Sequence, residues 1–322
     1  NEFKNLLIRT YSGALSQLRD QTIQFKPLRA AADDKEVVVK TVVIGRGDPV
    51  PLDYRLEKTA NGWKVYDMNI MGVWLVEAYR NQFSSSRFRS FIVHYKETDL
   101  WIGVDPESFS EEMKEVANSK VVQLRSEMEA YLLNDPVFGK TFKPHQVEPN
   151  APEIVRWMAE AANRAGVGPM ASVAGAFSEM VGRHLMQQFE IQELVVENGG
   201  DIFLKINRNL LMSVYAGNSP LSEKIGIEIQ ASESPLGVCT SAGTVGPSVS
   251  LGKTDATMIV CRNTALADAL ATTFGNLVQT PEDVQPVTQQ TEQFPEILSA
   301  VIICHEKIGI LGHFEMKLLR LG

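Results

Sequence analysis

Between residues 193 and 260 the chain runs through six short segments rich in β-branched and apolar residues, 193–197, 201–206, 211–216, 225–229, 238–240 and 256–260, each bounded by turn-forming residues. Consecutive strands joined by tight turns, with helices grouped elsewhere, predict an antiparallel α+β fold and not a doubly wound parallel sheet. Helical spacing is concentrated before and after this series. It covers 110–133, a stretch opened by Asn150-Ala151-Pro152 with Asn as the expected cap, 170–188 after Gly168-Pro169, and 265–276. In the third of these Ala171, Ala174, Gly175 and Ser178 make one side small, which allows a close neighbour. Further strands are expected at 90–95, 100–104, 300–304 and 314–319, with 280–295 as a polar connector.

A chain of 322 residues exceeds the usual span of one hydrophobic core, so two domains are expected. Charge divides at Ser84-Ser85-Ser86-Arg87: residues 1–86 carry a net +2 and the rest a net −10. We place the junction there, giving domains 1–86 and 87–322. In the first, Phe3, Leu6, Leu7, Tyr11, Leu15 and Leu18 recur at helical spacing. Strand-like runs follow at 37–43 and 53–58, then Asn61-Gly62 as a hairpin signal leading into 63–67, then a helix over 73–82. Helix, curved antiparallel sheet and helix make a small α+β half-shell with an apolar inner face.

The net charge of −8 lacks the electrostatic footprint of a general nucleic-acid binder. No apolar stretch approaches the roughly 18–20 residues that a membrane-spanning helix needs. The chain opens at Asn1 without a basic-then-apolar leader, so any signal peptide is expected to have been removed already. Cys239, Cys261 and Cys304 form no CxxC or Cys/His spacing, which argues against a zinc site or a disulfide framework. His94, His184, His305 and His313 are scattered and read as structural.

Three patterns could carry chemistry. Glu197-Asn198-Gly199-Gly200-Asp201 is either a plain hairpin turn or a place where backbone N–H groups approach a phosphate with Asp201 at the rim. In Cys239-Thr240-Ser241-Ala242-Gly243-Thr244-Val245-Gly246, three hydroxyls and two glycines make either a solvent loop or an anion-binding nest. Residues 246–254 nearly match a P-loop, but the glycine spacing is one residue too long and a strand follows where a helix is needed, so we reject that signature. Lys253 could still neutralise a phosphate. Asp268 and Thr272 lie four apart on a helix, a carboxylate and a hydroxyl on one face; this is either a solvated face or an Mg²⁺ site completed by water and phosphate.

The first 85 residues resemble the C-terminal part of the MlaC family of periplasmic phospholipid-binding proteins. The resemblance rests on residues 3–11, 29–34, Gly62-Trp63-Lys64-Val65-Tyr66-Asp67 and Tyr79-Arg80-Asn81-Gln82-Phe83. It implies an NTF2-like half-shell and a phospholipid ligand, with the family's N-terminal helical half expected to be absent. Residues 87–322 resemble the ApbE-like superfamily, most closely its uncharacterised single-domain branch, through residues 169–176, Glu197-Asn198-Gly199-Gly200-Asp201-Ile202, 239–246 and Ala267-Asp268-Ala269-Leu270-Ala271-Thr272. That resemblance implies a T-fold-like antiparallel sheet with helices and, in characterised members, an Mg²⁺-dependent flavin transferase that cleaves FAD and attaches FMN to a threonine.

The ApbE-like resemblance puts Asp268 and Thr272 on the Mg²⁺-ligand pattern and Gly199, Gly200 and Asp201 on the nucleotide-contact loop; we add Thr240, Ser241, Gly243, Thr244 and Lys253 as cofactor-binding candidates. Where the transferases carry Asp-Leu-Gly-Gly-Ile-Ala-Lys-Gly, this chain has Ser172 to Glu179, without the Asp or the Lys. Full transfer chemistry is therefore in doubt, because pyrophosphate cleavage needs cationic stabilisation. Three functions are expected in competition: a flavin or nucleotide-pyrophosphate site with Mg²⁺, a phospholipid carrier through residues 1–85, and a non-catalytic scaffold that assembles as a homo-oligomer. The resemblances leave the compartment open between periplasm and cytoplasm.

Overall fold

A computed structural model describes residues 22–28, 34–44, 50–59, 62–70, 73–74, 87–217, 219–243 and 251–319. The chain divides into two compact units, residues 1–81 with 245–249, and residues 82–244 with 250–322.

The first unit holds a five-stranded antiparallel meander: β1 (Thr22–Phe25), β2 (Glu36–Ile44), β3 (Val50–Thr59), β4 (Gly62–Ile70) and β5 (Val73–Trp74). Its alternating residues put Val39, Tyr54 and Leu56 in the interior, as a period of two requires. The β3–β4 hairpin expected from Asn61-Gly62 closes at the Thr59–Gly62 pair, with Gly62 at φ 102°. The helix expected over 73–82 does not begin as one. Val73 pairs with Ile70 and Trp74 with Asn69, and this strand pairing takes precedence over the helical spacing. Residues 75–82, the helix expected near residues 3–18, and the quoted stretches 3–11, 29–33 and 79–83 lie outside the described residues.

The second unit is built on an eight-stranded antiparallel sheet in the order β15-β14-β13-β12-β9-β8-β7-β6. Its strands are β6 (Arg89–Tyr95), β7 (Thr98–Val104), β8 (Leu194–Asn198), β9 (Asp201–Lys205), β12 (Leu236–Ser241), β13 (Ala256–Cys261), β14 (Ile297–Cys304) and β15 (Lys307–Gly312). A second sheet joins β10 (Leu210–Ser213), β11 (Ile225–Ile229) and β16 (Glu315–Leu318). Helices α1 (Glu112–Asn134), α2 (Glu153–Ala165), α3 (Val173–Gln188), α4 (Thr264–Leu277) and the short α5 (Val284–Gln290) complete it.

Strand alternation sorts two cores. Phe203, Cys239, Ile259 and Ala300 face the helices and pack with Phe177, Leu270 and Phe274. Ile202, Val238, Met258, Val260 and Val301 face the other way, onto Met212, Ile227 and Ile229 of the small sheet. Full burial of side chains such as Phe177 or Leu270 contributes roughly 1.5–3 kcal/mol each. At the start of this unit Arg87 clamps Glu193, its Nε and Nη2 donating to the two carboxylate oxygens at 2.9 and 2.6 Å.

Four expectations are corrected here. Pro152, not Asn150, holds the cap position of α2, and it makes no side-chain capping bond. Residues Pro169–Ser172 form a 3₁₀ turn ahead of α3, which begins at Val173. The connector at 280–295 is mostly helical, with a Thr280–Asp283 capping box opening it and Val284 and Val287 buried. The last strands number three: β14 begins earlier than expected, and β15 was hidden because its six residues are half glycine and charge around Ile308, Ile310 and Leu311.

Candidate functional site

The Gly199-Gly200 bend is the β8–β9 hairpin turn. Both glycines adopt positive φ, 64° and 105°, which a two-residue hairpin loop of this hand demands. The N–H of Gly200 donates to Glu197 Oε1 at 2.9 Å and its carbonyl accepts from the Thr240 N–H at 3.2 Å. That N–H is therefore committed within the protein, which removes it from the expected phosphate cradle.

Register then carries the row across the sheet: Asn198 pairs with Asp201, Asp201 with Cys239, and Cys239 with Ile259. These residues share the helix-facing side. Asn198 Nδ2 donates to Ala174 O at 3.1 Å, the Ser178 hydroxyl donates to Asp201 O at 3.1 Å, and Cys239 Sγ donates to Thr264 O at 3.4 Å. The starts of α3 and α4 thus meet β8, β9 and β12 at one polar corner.

Asp268 closes that corner from α4. Asn263 caps the helix by accepting from the Leu266 N–H at 2.7 Å, and the Ala-rich first turns let the backbone come close to its neighbours. A Cβ on Gly237 would lie 2.5 Å from Thr264 Cα, and one on Gly175 would lie 2.5 Å from Thr264 O. Asp268, 8% exposed, uses Oδ2 to accept the Gly175 N–H at 2.9 Å. It thereby caps α3, whose own cap residue Ser172 turns its hydroxyl to Met158 O and Pro169 O instead.

Burial pushes the Asp268 carboxyl up to about 7, against the pull of the Gly175 and Ala174 N–H groups. Burial also raises Asp201 well above the usual carboxylate range; nearby Asp268 and Glu197 add to the rise, while Cys239 and the Thr240 N–H oppose it. The Cys239 thiol is driven up by burial first and then by Asp201 and Asp268. Among the described residues, no Lys, Arg or His forms an ion pair with Asp201 or Asp268.

The remaining candidates fall into two groups. Thr240 and Ser241 belong to strand β12 and not to a loop. Alternation turns the Thr240 side chain to the face of Val238, away from Cys239, and its N–H donates to Gly200 O. Ser241 is buried one step beyond Cys239 and pairs with Thr257. Gly243 and Lys253 lie toward the far end of α4: Gly243 N–H donates to Thr254 O, and Lys253 N–H donates to Val278 O, both at 2.8 Å. From Asp268 to that end is about 15 Å at 1.5 Å per residue. Lys253 is exposed there, so it is not beside the carboxyl pair. Thr244 lies outside the described residues. Thr272, one turn beyond Asp268, is half-buried.

The oxygens of Asp268, Asp201 and Thr272 suit a hard divalent cation. Among the described residues no group of three or more His, Cys, Asp or Glu is arranged to hold a metal, so water and a ligand phosphate would have to complete the shell. Sequence reading missed Glu179, which is 1% exposed and accepts the Thr264 N–H at 2.6 Å. Its only signal was a charged residue at an otherwise apolar helix position beside Phe177 and Met180.

Residues 80–295 match the family model described as AbpE bacteria, and residues 1–88 match the one described as MlaC protein. A UPF0280 protein of Methanococcus vannielii is 36% identical over 225 residues, 68% of this chain and 89% of that protein. A phospholipid-binding protein of Ralstonia solanacearum, solved in complex with a phospholipid, is 63% identical, with a TM-score of 0.21. That match covers 26% of this chain and 46% of the other, less than half of its length. The flavinyl transferase ApbE of Pseudomonas stutzeri, in its apo form, is 12% identical with a TM-score of 0.47, over 70% of this chain and 93% of that one. The first family model takes in well over half of the sequence, and the chain belongs to the AbpE bacteria family.

Proposed function

We propose that residues 87–322 bind the phosphate groups of a nucleotide-type ligand, FAD foremost, together with Mg²⁺ held by Asp268 and Thr272. The observation that carries this reading is the nearness of Asp201 to Asp268, a partly exposed and a buried carboxyl at one corner, with no cationic side chain paired to either among the described residues. Such a pair stays partly protonated by itself, and a divalent cation lets both ionise. Bound Mg²⁺ would supply charge neutralisation for a phosphate. The protein's part is to fix the carboxyl on α4: the Gly175 N–H orients Asp268 through Oδ2.

Binding is favoured over FMN transfer. Ser178 stands where the resemblance places a lysine, and its hydroxyl is turned onto Ala174 O at 2.8 Å and Asp201 O at 3.1 Å. Among the described residues, no positive side chain is paired with Asp201 or Asp268 to meet a breaking pyrophosphate. The test is thermal: FAD with Mg²⁺ should raise the melting temperature, by about 2.7 kcal/mol of stabilisation at a hundredfold excess over Kd. Asp268→Ala should abolish the rise. No shift with FAD, FMN or ATP would end the proposal.

The match of residues 1–88 to the MlaC model favours a second reading, phospholipid carriage by that segment. It calls for phospholipid in an organic extract of the purified chain, absent when residues 1–86 are removed.

A further inference from the structure

Two carboxylates tie α3 and α4 to each other. Glu179 of α3 accepts the N–H of Thr264, the first residue of α4, at 2.6 Å. Asp268 of α4 accepts the N–H of Gly175, in the first turn of α3, at 2.9 Å. Gly175 and Glu179 are four residues apart, as are Thr264 and Asp268, so each helix contributes one donor and one acceptor separated by a single turn. The four groups close a rectangle, and one of its corners is the carboxyl proposed above to hold the cation.

Glu179 is an expensive residue for a place that packing alone could fill. It is 1% exposed, and Arg183 balances it from one side, with Nη2 at 2.7 Å and Nε at 2.8 Å from Oε1. Its second oxygen is spent on the start of α4, where a negative charge meets the positive end of the helix dipole. Thr264 is pressed onto Gly237 of β12 at the same time, which leaves the first turn of α4 little room except rotation about its own axis. The Glu179 bond fixes that rotation.

We infer that Glu179 is a positioning residue for Asp268, holding the first turn of α4 so that the Asp268 carboxyl stands toward Asp201. The inference rests on the cation reading of that corner. It predicts that the reach of the side chain matters more than its charge: Glu179→Asp keeps the charge and falls short of Thr264, while Glu179→Gln keeps the length and an acceptor oxygen. Thr264→Pro removes the same bond from the other end. Proline is tolerated at a first helical position, and Asn263 before it already has the extended backbone that proline requires (φ −106°, ψ 117°).

The probe is Mn²⁺, titrated into the full chain and followed by the electron paramagnetic resonance signal of the free ion. Glu179→Asp and Thr264→Pro should weaken binding on the order of tenfold, the scale at which partners that orient metal ligands act. Glu179→Gln should stay within about threefold of the parent protein. Glu193→Gln serves as the comparison, a carboxylate equally buried but clamped by Arg87 elsewhere in the unit; it should lose stability and leave Mn²⁺ affinity unchanged. Parent-like affinity in Glu179→Asp and in folded Thr264→Pro would overturn the role, as would equal weakening by Glu193→Gln. Parent protein that takes up no Mn²⁺ would instead remove the cation reading beneath it.

Discussion

Asp268 Oδ2 accepts the backbone N–H of Gly175 at 2.9 Å, joining two helices whose contact points are 93 residues apart in the chain. A helix start ordinarily finds its cap in the residue just before it. Here Ser172 has turned away, and the carboxylate of a neighbouring helix does that work. The arrangement keeps an acidic group out of water beside Asp201, and its cost should be measurable.

The cost appears as a pH dependence. The Asp268 carboxyl titrates at about 7 in the folded chain against 3.8 for an ordinary aspartate. Between those values the folded form keeps a proton that the unfolded form has released, so this group's contribution to stability falls as pH rises from about 4 to 7 and is level above. Asp268→Asn removes the effect and keeps an acceptor for Gly175. Its melting temperature relative to the parent should climb between about pH 5 and pH 8; a constant difference across that range would contradict the assignment.

Gly237→Ala should separate α4 from β12. The added methyl would meet Thr264 Cα at 2.5 Å, and backbone cannot step aside as a flexible side chain can. Overpacking of this kind costs about 1–3 kcal/mol, and urea denaturation should show it. Loss of Mg²⁺-dependent ligand binding beyond the stability change is also expected, because Asp268 rides on the displaced turn.

Glu193 behaves in the opposite sense to Asp268. Burial disfavours its charge, yet Arg87, the Asn207 N–H and Arg208 outweigh that and bring it down to about 2. Its stabilisation is present above the ordinary glutamate range and is lost as pH falls from about 4.5 toward 2. Glu193→Gln keeps one acceptor oxygen but removes the charge that faces Arg87 and Arg208, and should cost about 1.5–3 kcal/mol at neutral pH. In acid the gap between variant and parent should close.

Cys239 should resist thiol reagents in the native chain. It is wholly buried, and burial with two nearby carboxyls disfavours its thiolate. Maleimide labelling read by mass spectrometry should leave it unmodified until denaturant is added. Rapid native labelling would mean that the corner opens far more than the structure shows.

Much of this architecture was legible from local pattern. The alternation in residues 53–58, the Asn61-Gly62 turn and the strand series from 193 to 260 each specify their own neighbours, because antiparallel pairing across tight turns is a local matter. The 307–312 strand and the 280–295 helices were not legible, since polar surface positions dilute their periodicity. At the corner, the wording around Asp268 and Gly199-Gly200 drew attention to the right segments, but hydroxyl counting misplaced Thr240. A loop would have gathered its hydroxyl with that of Ser241, whereas a strand sends them to opposite faces. Glu179 gave no usable signal, because its partner is a backbone N–H on another helix, which no side-chain pattern announces.

The reciprocal ties have a consequence for how this region can vary. Inserting or deleting one residue between Thr264 and Asp268 would swing the carboxyl about 100° around the helix axis, leaving Gly175 unbonded even though every side chain survives. Exchanging Asp268 or Glu179 in place disturbs one corner, while changing the length of that turn disturbs both helices together. Spacing is therefore the stricter requirement here: one residue more or fewer in that turn undoes both ties, where an exchange in place undoes one.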